Sequence, residues 1–311
     1  MSQITDTILM IRPVNFRMNE QTAVNNYYQK VIDGVTPETL LQNAQDEFDN
    51  FVKKLEAVGI QVVVVDDVKE TDTPDAHFPN NWISFHHSGR VALYPMFAEN
   101  RRTERREDIL DTLESKGFSI TDVIDYSSAE EESLFLEGTG SLLLDRVNRK
   151  AYCALSPRAD EELLIEFCED FEYTPVIFTA NQTVEGKRLP IYHTNVMMCL
   201  GKAFSVICID SIDDKKERKN VIKHLKEDGK EIIAITENQV VHFAGNMLEL
   251  KGTNDISYLV MSNAAHQSLT KVQINQIEKH ATILSSSLDI IEACGGGSAR
   301  CMMAEVFLPK K

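Results

Sequence analysis

The chain has 311 residues, with 48 acidic side chains against 32 basic ones, and its formal net charge is −16. This excess of carboxylates argues against a general nucleic-acid-binding protein, whose affinity depends on lysines and arginines at the phosphates. A hydrophobic fraction of 43% is typical of a folded globular chain, and no apolar run approaches the ~20 residues that span a bilayer.

The chain start and the cysteines indicate the cellular compartment. The first residues lack the basic and apolar regions of a secretory signal. Six cysteines without a C-x-x-C pair predict neither a disulfide scaffold nor a zinc site. We therefore expect a cytoplasmic protein with free thiols, no membrane segment and no bound metal.

Five helical stretches, each followed by a turn and an apolar strand, can be identified along the chain. The first helix, Glu38 to Val58, is amphipathic and ends at Gly59, a residue type that caps helices with a positive φ. The β-branched run Ile60 to Val65 that follows is typical of a buried strand. The later predicted helices are Thr103–Lys116, Ala159–Phe171, Asp213–Asp228 and Leu269–Leu284. The strands predicted after them are Phe118–Ile124, Pro175–Phe178, Glu231–Ile235 and Leu288–Glu292.

Each of these strands leads into a short corner of small and polar residues. Aligning the corners places five residues in register, at intervals of 51 to 59 positions: Asn81, Gly140, Asn195, Asn246 and Cys301. A third strand follows the corner in the first four units, at Val91–Tyr94, Ala151–Ala154, Phe204–Ile209 and Ile256–Met261. The fifth unit lacks such a strand, and the unpaired N-terminal run Thr7–Ile11 can supply it.

This repetition predicts a single α/β domain over residues 1–311. Five ββαβ units would surround a pseudo-fivefold axis, and the N-terminal strand would close the ring. Closure removes the sheet edges that an open array leaves unpaired. The alternative is a generic α/β domain with helices spaced by chance.

Corners that meet at one axis bring distant side chains together. A cysteine and a histidine from separate loops, Cys301 and His193, are the parts of a nucleophilic site, because an imidazolium lowers the pKa of a nearby thiol. Glu137 could orient His193, as the carboxylate does in a catalytic triad. Asn81 and Asn195 would lie beside them. Taken singly, each has a structural alternative: a core thiol, a core or surface histidine, and a loop acid.

The corners resemble those of the guanidine-modifying, or pentein, superfamily. This group includes arginine deiminases, dimethylarginine hydrolases, agmatine deiminases and glycine amidinotransferases. Gly297–Met302 is similar to the glycine-rich segment before the deiminase nucleophile, and Leu136–Gly138 resembles the Glu-Gly-Gly corner. His193–Asn195 resembles the His-x-Asp corner and Phe78–Asn81 the Phe-x-Arg-Asp corner. The whole chain looks most like the amidinotransferase-related branch named for citrulline utilisation.

The resemblance implies a mechanism and a substrate class. Cys301 would attack the planar carbon of a guanidino or ureido group, and His193 would act as general acid and then general base. It implies no metal or organic cofactor and a small amino-acid substrate. Arg300, Arg158 and either Arg101 or Arg102 stand where deiminases keep carboxylate-binding arginines. The alternative for Arg101 and Arg102 is a solvated helix with mixed charges.

Two departures from the family pattern concern the substrate. Deiminases hold a cationic guanidinium between two carboxylates, whereas the corresponding corners here carry Asn81 and Asn195. Amides both donate and accept, so they suit a neutral ureido group such as that of citrulline. Asp75 could replace a missing acid and keep a guanidino substrate open, and dimethylarginine hydrolases also lack one of the two acids.

Other functions remain compatible with parts of the pattern. Amidino transfer would use the same covalent half-reaction, so an arginine-deiminase-type, a dimethylarginine-hydrolase-type or an amidinotransferase activity stays open. A non-catalytic binding module of the same fold and a cysteine protease are weaker alternatives. The sequence leaves open whether the chain forms a homo-oligomer.

Overall fold

The computed structural model describes residues 1–311, which form an α/β fold of seventeen strands and ten α-helices. The strands are β1 Thr7–Arg12, β2 Gln61–Asp66, β3 Ile83–Phe85, β4 Arg90–Leu93, β5 Asp122–Asp125, β6 Leu142–Asp145, β7 Lys150–Leu155, β8 Thr174–Thr179, β9 Asn181–Val184, β10 Lys187–Pro190, β11 Met198–Leu200, β12 Phe204–Ile207, β13 Glu231–Ala234, β14 Leu248–Lys251, β15 Ser257–Ser262, β16 Thr282–Ser286 and β17 Ala304–Glu305. The helices are α1 Glu20–Ala23, α2 Pro37–Ala57, α3 Asp108–Ser115, α4 Gly138–Ser141, α5 Glu161–Asp170, α6 Thr194–Met197, α7 Lys215–Glu227, α8 Glu237–Val241, α9 Asn263–Ser268 and α10 Lys271–Ile277.

Five separate three-stranded sheets repeat one topology. In four of them an antiparallel pair is followed by a parallel neighbour: β3-β4-β5, β6-β7-β8, β11-β12-β13 and β14-β15-β16. The fifth sheet has the order β17-β1-β2, with β1 antiparallel to β17 and parallel to β2. The N-terminal strand therefore supplies the strand that the last unit lacks. The arrangement of the five units around one fivefold axis stays a prediction.

Local sequence signals set the ends of the longest helix. The side chain of Thr36 accepts a hydrogen bond from the Thr39 backbone N–H, and Pro37 occupies the first helical position of α2. The inner face of α2 buries Phe48, Phe51 and Leu55 in the same core cluster as strand β1. Cys301 belongs to this cluster as well, so the packing of α2 supports the last corner.

The fifth unit differs from its prediction. Within the predicted helix Leu269–Leu284, only Lys271–Ile277 is helical, as α10. A capping box between Thr270 and Gln273 starts this helix close to the predicted position, so the error lies at its end. The residues from Thr282 onward form strand β16, which pairs in parallel with β15. The strand predicted at Leu288–Glu292 is also wrong, because a π-helical turn occupies Ile291–Gly295.

Two further segments were not predicted correctly. The helix predicted from Thr103 begins only at Asp108, and a 3-10 turn over Glu99–Glu104 precedes it, with Arg101 buried. The hairpin of β9 and β10 was missed, although its two-residue turn, Glu185-Gly186, takes the positive φ values that tight hairpins need. All six cysteines are free and buried. No helix of the structure has the length and apolar character required for a membrane span.

Candidate active site

The five corners contact one another in sequence order. Asn80 O accepts a hydrogen bond from Thr139 Oγ1 at 3.2 Å, and Ser141 O accepts one from Thr194 Oγ1 at 2.6 Å. Asn246 joins the third and fifth corners, because its Nδ2 donates to Asn195 O at 3.1 Å and its Oδ1 accepts from the Arg300 backbone N–H at 2.9 Å. The predicted convergence of the corners is therefore present in the structure.

Close approach of the backbone explains glycine at two corner positions. A Cβ on Gly140 would lie 2.9 Å from His193 Nδ1 and closer still to Asn81 Nδ2. A Cβ on Gly245 would lie 2.7 Å from the carbonyl carbon of Met197. Side chains at these positions would push the corners apart, so the glycines allow the catalytic candidates to meet.

Glu137 and His193 form a short, fully buried pair. His193 Nε2 lies 2.6 Å from Glu137 Oε2, while Glu137 Oε1 accepts a hydrogen bond from the Phe97 backbone N–H at 3.0 Å. Arg158 Nη1 lies 3.5 Å from the same carboxylate. His193 Nδ1 is buried and has no partner in the protein. Because an ionised Glu137 only accepts, Nε2 carries the proton and Nδ1 is left free to take one.

The thiol of Cys301 is held among amides. Asn246 Nδ2 lies 3.2 Å from Cys301 Sγ, and Asn195 Nδ2 lies 3.6 Å from it. Cys301 and His193 line the same cavity, which also contains Asn81 and the glycine run Gly295–Gly297. A thiol and an imidazole therefore share one cavity, with a carboxylate bonded to the imidazole behind it, which is the set of groups that nucleophilic catalysis requires.

Burial controls the resting protonation of the three groups. Burial would raise the pKa of Glu137, but Arg158 and the hydrogen bond from His193 outweigh it and lower that pKa to about 2. Burial lowers the pKa of His193 to about 4, although Glu137 opposes the shift. Burial also raises the pKa of the Cys301 thiol, although hydrogen bonds from its surroundings lower it in part. At neutral pH the free protein therefore holds a neutral thiol and a neutral imidazole.

Alkylation by iodoacetamide tests this protonation state. A raised thiol pKa means a smaller thiolate fraction at pH 7 than in an ordinary cysteine, so we expect the Cys301 rate to keep rising with pH beyond about 8.5. Mass spectrometry of the Cys301 peptide measures that rate separately from the other five cysteines. A rate already constant between pH 6 and 8 would contradict the neutral pair and indicate a preformed thiolate–imidazolium pair.

The cavity is closed in this structure. Its volume of about 10 Å³ would hold roughly one water, which is far less than an amino acid needs. The segment from Asn19 to Lys30 covers it: Asn26 Nδ2 donates to Gly296 O at 3.2 Å and Gln29 Nε2 to Gly295 O at 3.1 Å. We expect this segment to move when substrate binds. A larger cavity of about 520 Å³, lined by Tyr28, contains none of the catalytic candidates.

Two of the predicted arginines reach the cavity, and both already have partners. Arg101 is buried and pairs with Glu104 through two hydrogen bonds of 2.9 Å, while its Nη1 donates to Asn81 Oδ1 at 2.8 Å. Arg158 donates through Nε and Nη2 to Asn25 Oδ1, and through Nη2 to Thr22 O. A substrate carboxylate would have to replace some of these bonds.

The structure places the other two arginines elsewhere. Arg300 precedes Cys301, but its guanidinium binds Met303 O at 2.7 Å and Glu305 Oε2 at 2.8 Å and does not line the cavity. Arg102 donates to Met96 O and lies outside the cavity. Local partners therefore hold the side chains of Arg300 and Arg102 away from the cavity, and of the two alternatives Arg101 and Arg102 it is Arg101 that lines it.

Two further polar groups lie at the site: Asp75, which the sequence offered as a replacement for a missing acid, and Asn246, which was aligned with the corners but not assigned a role. Asp75 lines the cavity, and its Oδ2 accepts from Asn19 and Thr22 while its Oδ1 is buried without a partner. Burial raises the pKa of Asp75. Asn246 contacts the Cys301 sulfur directly. Its alignment with Asn195 and Cys301 in the corners was the sequence signal that could have identified it as a site residue.

Comparison with solved structures gives the same fold. The cyanobacterial arginine dihydrolase ArgZ matches with a TM-score of 0.74 and 17% identity over 98% of this chain, which spans 41% of that longer protein. The N-terminal domain of ArgZ, as a substrate-bound cysteine-to-serine variant, matches with a TM-score of 0.73 and 17% identity, over 97% of this chain and 99% of the domain. A histidine-to-glycine variant of dimethylarginine dimethylaminohydrolase, as an adduct with S-methyl-L-thiocitrulline, matches with a TM-score of 0.63 and 13% identity, over 97% and 99%.

At these identities the structural matches show the fold alone, an α/β fold that the chain shares with these enzymes. None of the curated protein sequences matches the chain. The family model described as N,N dimethylarginine dimethylhydrolase, eukaryotic, matches residues 12–308, almost the full length. The resemblance found in the corners is thereby confirmed, and the chain belongs to this dimethylarginine dimethylhydrolase family.

Proposed function

We propose that the protein is a cysteine-dependent hydrolase of the terminal guanidino or ureido carbon of an arginine-like amino acid, with a ureido substrate such as citrulline preferred. The observation that carries the proposal is the meeting of Cys301 and His193 at one closed cavity, with Glu137 bonded to His193 behind it. Membership of the dimethylarginine dimethylhydrolase family supports the hydrolytic class.

The proton inventory of the site suggests an order of events. His193 Nδ1 would take the thiol proton as Cys301 attacks the planar carbon, and Glu137 would stabilise the imidazolium that forms. The imidazolium would then protonate the departing nitrogen. With a ureido substrate, ammonia leaves and a thiocarbamate remains on Cys301. Water activated by His193 would release a carbamate, which decomposes to the amine and carbon dioxide.

The preference for a ureido group rests on the orientation of Asn81. Arg101 can only donate, so Asn81 must turn its Oδ1 toward Nη1, at 2.8 Å. One hydrogen of Asn81 Nδ2 then bonds to Asn80 Oδ1 at 3.1 Å, and the other is left for a ligand. A ureido oxygen can accept that hydrogen, whereas a guanidinium offers only donors. The free donor therefore favours the neutral substrate.

The unpartnered oxygen of Asp75 favours a second candidate, a guanidino substrate. A buried carboxylate oxygen in the cavity would be satisfied by a cation. That cation could be a guanidinium or the α-ammonium group that arginine and citrulline share. The family description, which names dimethylarginine, also supports this candidate.

Comparing substrates separates the two candidates. We expect ammonia and ornithine from citrulline, faster than any product from arginine, methylated arginine or agmatine. The Asn81→Asp variant removes the free donor and adds an acceptor, so its ratio of arginine to citrulline turnover should rise about tenfold or more. Product from arginine with none from citrulline would reject the ureido preference. Turnover that requires added glycine or ornithine would indicate amidino transfer.

The proposal includes the arrangement predicted from the repeats. A single pentein domain over residues 1–311, with its five units around one axis, would place each corner at the same cavity. A cytoplasmic location and assembly into a homo-oligomer belong to the same set of proposals. Size-exclusion chromatography with light scattering would measure the oligomeric state.

A further inference from the structure

A second cavity, which we call the basic pocket, lies away from the catalytic candidates. It has a volume of about 230 Å³, and its basic lining residues are His86, His87, Arg90, Arg146 and Arg149. None of these residues lines the catalytic cavity. Three guanidinium groups around one cavity are unexpected in a chain whose net charge is −16.

Arg146 is the main reason to consider this pocket a binding site. The residue is 2% exposed, and no carboxylate oxygen lies within 4.0 Å of its guanidinium. Its guanidinium stacks on the ring of Phe307 at 3.9 Å, and its one side-chain hydrogen bond, from Nη1 to Phe85 O, is long at 3.4 Å. Burying a charge without a partner is costly in free energy. An anionic ligand would lower that cost by supplying the opposite charge that the protein itself does not place there.

The neighbouring arginines are oriented by aromatic rings and backbone carbonyls. Arg149 lies over Tyr173 at 4.2 Å and donates from Nε to Glu172 O at 3.1 Å. Arg90 lies over Phe171 at 4.6 Å and donates from Nη1 to a backbone carbonyl at 2.6 Å. The carboxylate of Glu172 is 3.7 Å from Arg149 but largely exposed. Guanidinium groups already cover these two ring faces, so a nucleotide base could not stack on them. The pocket therefore suits a compact anion.

The remaining polar groups are compatible with an anion. His86 Nε2 is engaged with Ser84 Oγ at 2.8 Å, and its Nδ1 has no hydrogen bond within the protein. Burial, followed by the charges of Arg146, Arg149 and Arg90, lowers the pKa of His86 well below its ordinary value. Asp170, an exposed acid of the pocket lining, accepts a hydrogen bond at Oδ2 from the hydroxyl of Tyr126 at 2.7 Å.

We propose that the basic pocket binds a small phosphate-type dianion, either inorganic phosphate or the phosphate group of a small monoester. The guanidinium groups of Arg146 and Arg149 would provide paired N–H donors to its oxygens, and Arg90 would add charge from the rim. This site is independent of the proposed hydrolase activity.

Isothermal titration calorimetry with inorganic phosphate, at constant ionic strength in sodium chloride, tests the proposal. We expect saturable 1:1 binding, and about tenfold or greater weakening in Arg149→Gln, whose half-exposed side chain makes a folding defect less of a concern than in Arg146→Gln. Arg218→Gln is the matched control, because Arg218 is a similarly half-exposed arginine outside the pocket. Its affinity should stay within about twofold of the parent.

Two further arms identify the ligand and separate the proposals. Titration with glycerol phosphate distinguishes a monoester site from a phosphate site, and titration with succinate measures selectivity against a dicarboxylate. The Cys301→Ala variant should bind phosphate as the parent does, whatever its activity. No saturable binding up to about 10 mM phosphate, or equal binding by Arg149→Gln, would overturn the proposal.

Discussion

Replacing Cys301 by alanine is expected to reduce turnover to the background level, a loss of at least about a thousandfold. The variant lacks the sulfur that would form the covalent bond, and Cys301 carries the one thiol that lines the cavity. Initial rates of ammonia release from citrulline and arginine measure the loss. Mass spectrometry of the acid-quenched parent enzyme should show the matching adduct on the Cys301 peptide.

Cys294→Ala is the matched control for this experiment. Cys294 is buried in the same core cluster as Cys301, but it does not line the cavity. Removing either sulfur deletes a similar small volume from the core, with a cost in stability of about 1 kcal/mol. Thermal denaturation should therefore give similar melting temperatures for the two variants. Unchanged turnover in Cys301→Ala would reject every covalent mechanism.

Much of the fold was predictable because its signals are local. The apolar run before the first corner forms β2, and glycine caps such as Gly59 end helices near the predicted positions. The fifth unit failed for a reason that is not local. Thr282–Ser286 follows the apolar pattern of the predicted helix but forms strand β16, because it pairs in parallel with β15. The sequence reads as one helix when that strand partner is unknown.

The site was predictable to the extent that its chemistry repeats at the corners. Position in the repeated corners pointed to His193, Glu137 and Asn195, and for Cys301 the glycine-rich run before it was a second signal. Side-chain direction was not predictable, and the arginines show why. Arg101 and Arg102 are adjacent in sequence, yet the 3-10 turn buries one at the cavity and directs the other to Met96 O.

The direction of the Arg300 side chain was also not predictable from the sequence. It directly precedes Cys301, but a carboxylate five residues later, on Glu305, binds its guanidinium at 2.8 Å and turns it away. For Asp75, nothing in the local sequence indicates that one carboxylate oxygen is left without a hydrogen-bond partner. That property arises because Asn19 and Thr22, on a distant segment, occupy only Oδ2.

Replacing Glu137 by glutamine is expected to lower kcat by about 10² to 10⁴-fold while leaving the fold intact. Glutamine keeps the size of the side chain but removes the charge that stabilises an imidazolium on His193. Glu137 raises the pKa of His193 against the larger effect of burial, so the variant should move that pKa further below about 4. Steady-state kinetics measures the first effect, and NMR titration of the His193 ring protons measures the second.

Glu130→Gln distinguishes a catalytic effect from loss of a buried carboxylate in general. Glu130 accepts a hydrogen bond from the Met96 backbone N–H at 2.8 Å and pairs with Arg105 at 2.6 Å. Glu137 has matching contacts, because it accepts from the Phe97 backbone N–H and lies near Arg158. Unlike Glu137, Glu130 has no histidine partner and therefore no contact, through such a partner, with a residue that lines the cavity. Both variants should lose some stability, but kcat should fall only in Glu137→Gln. An equal fall in both would mean that Glu137 acts through the fold and not through His193.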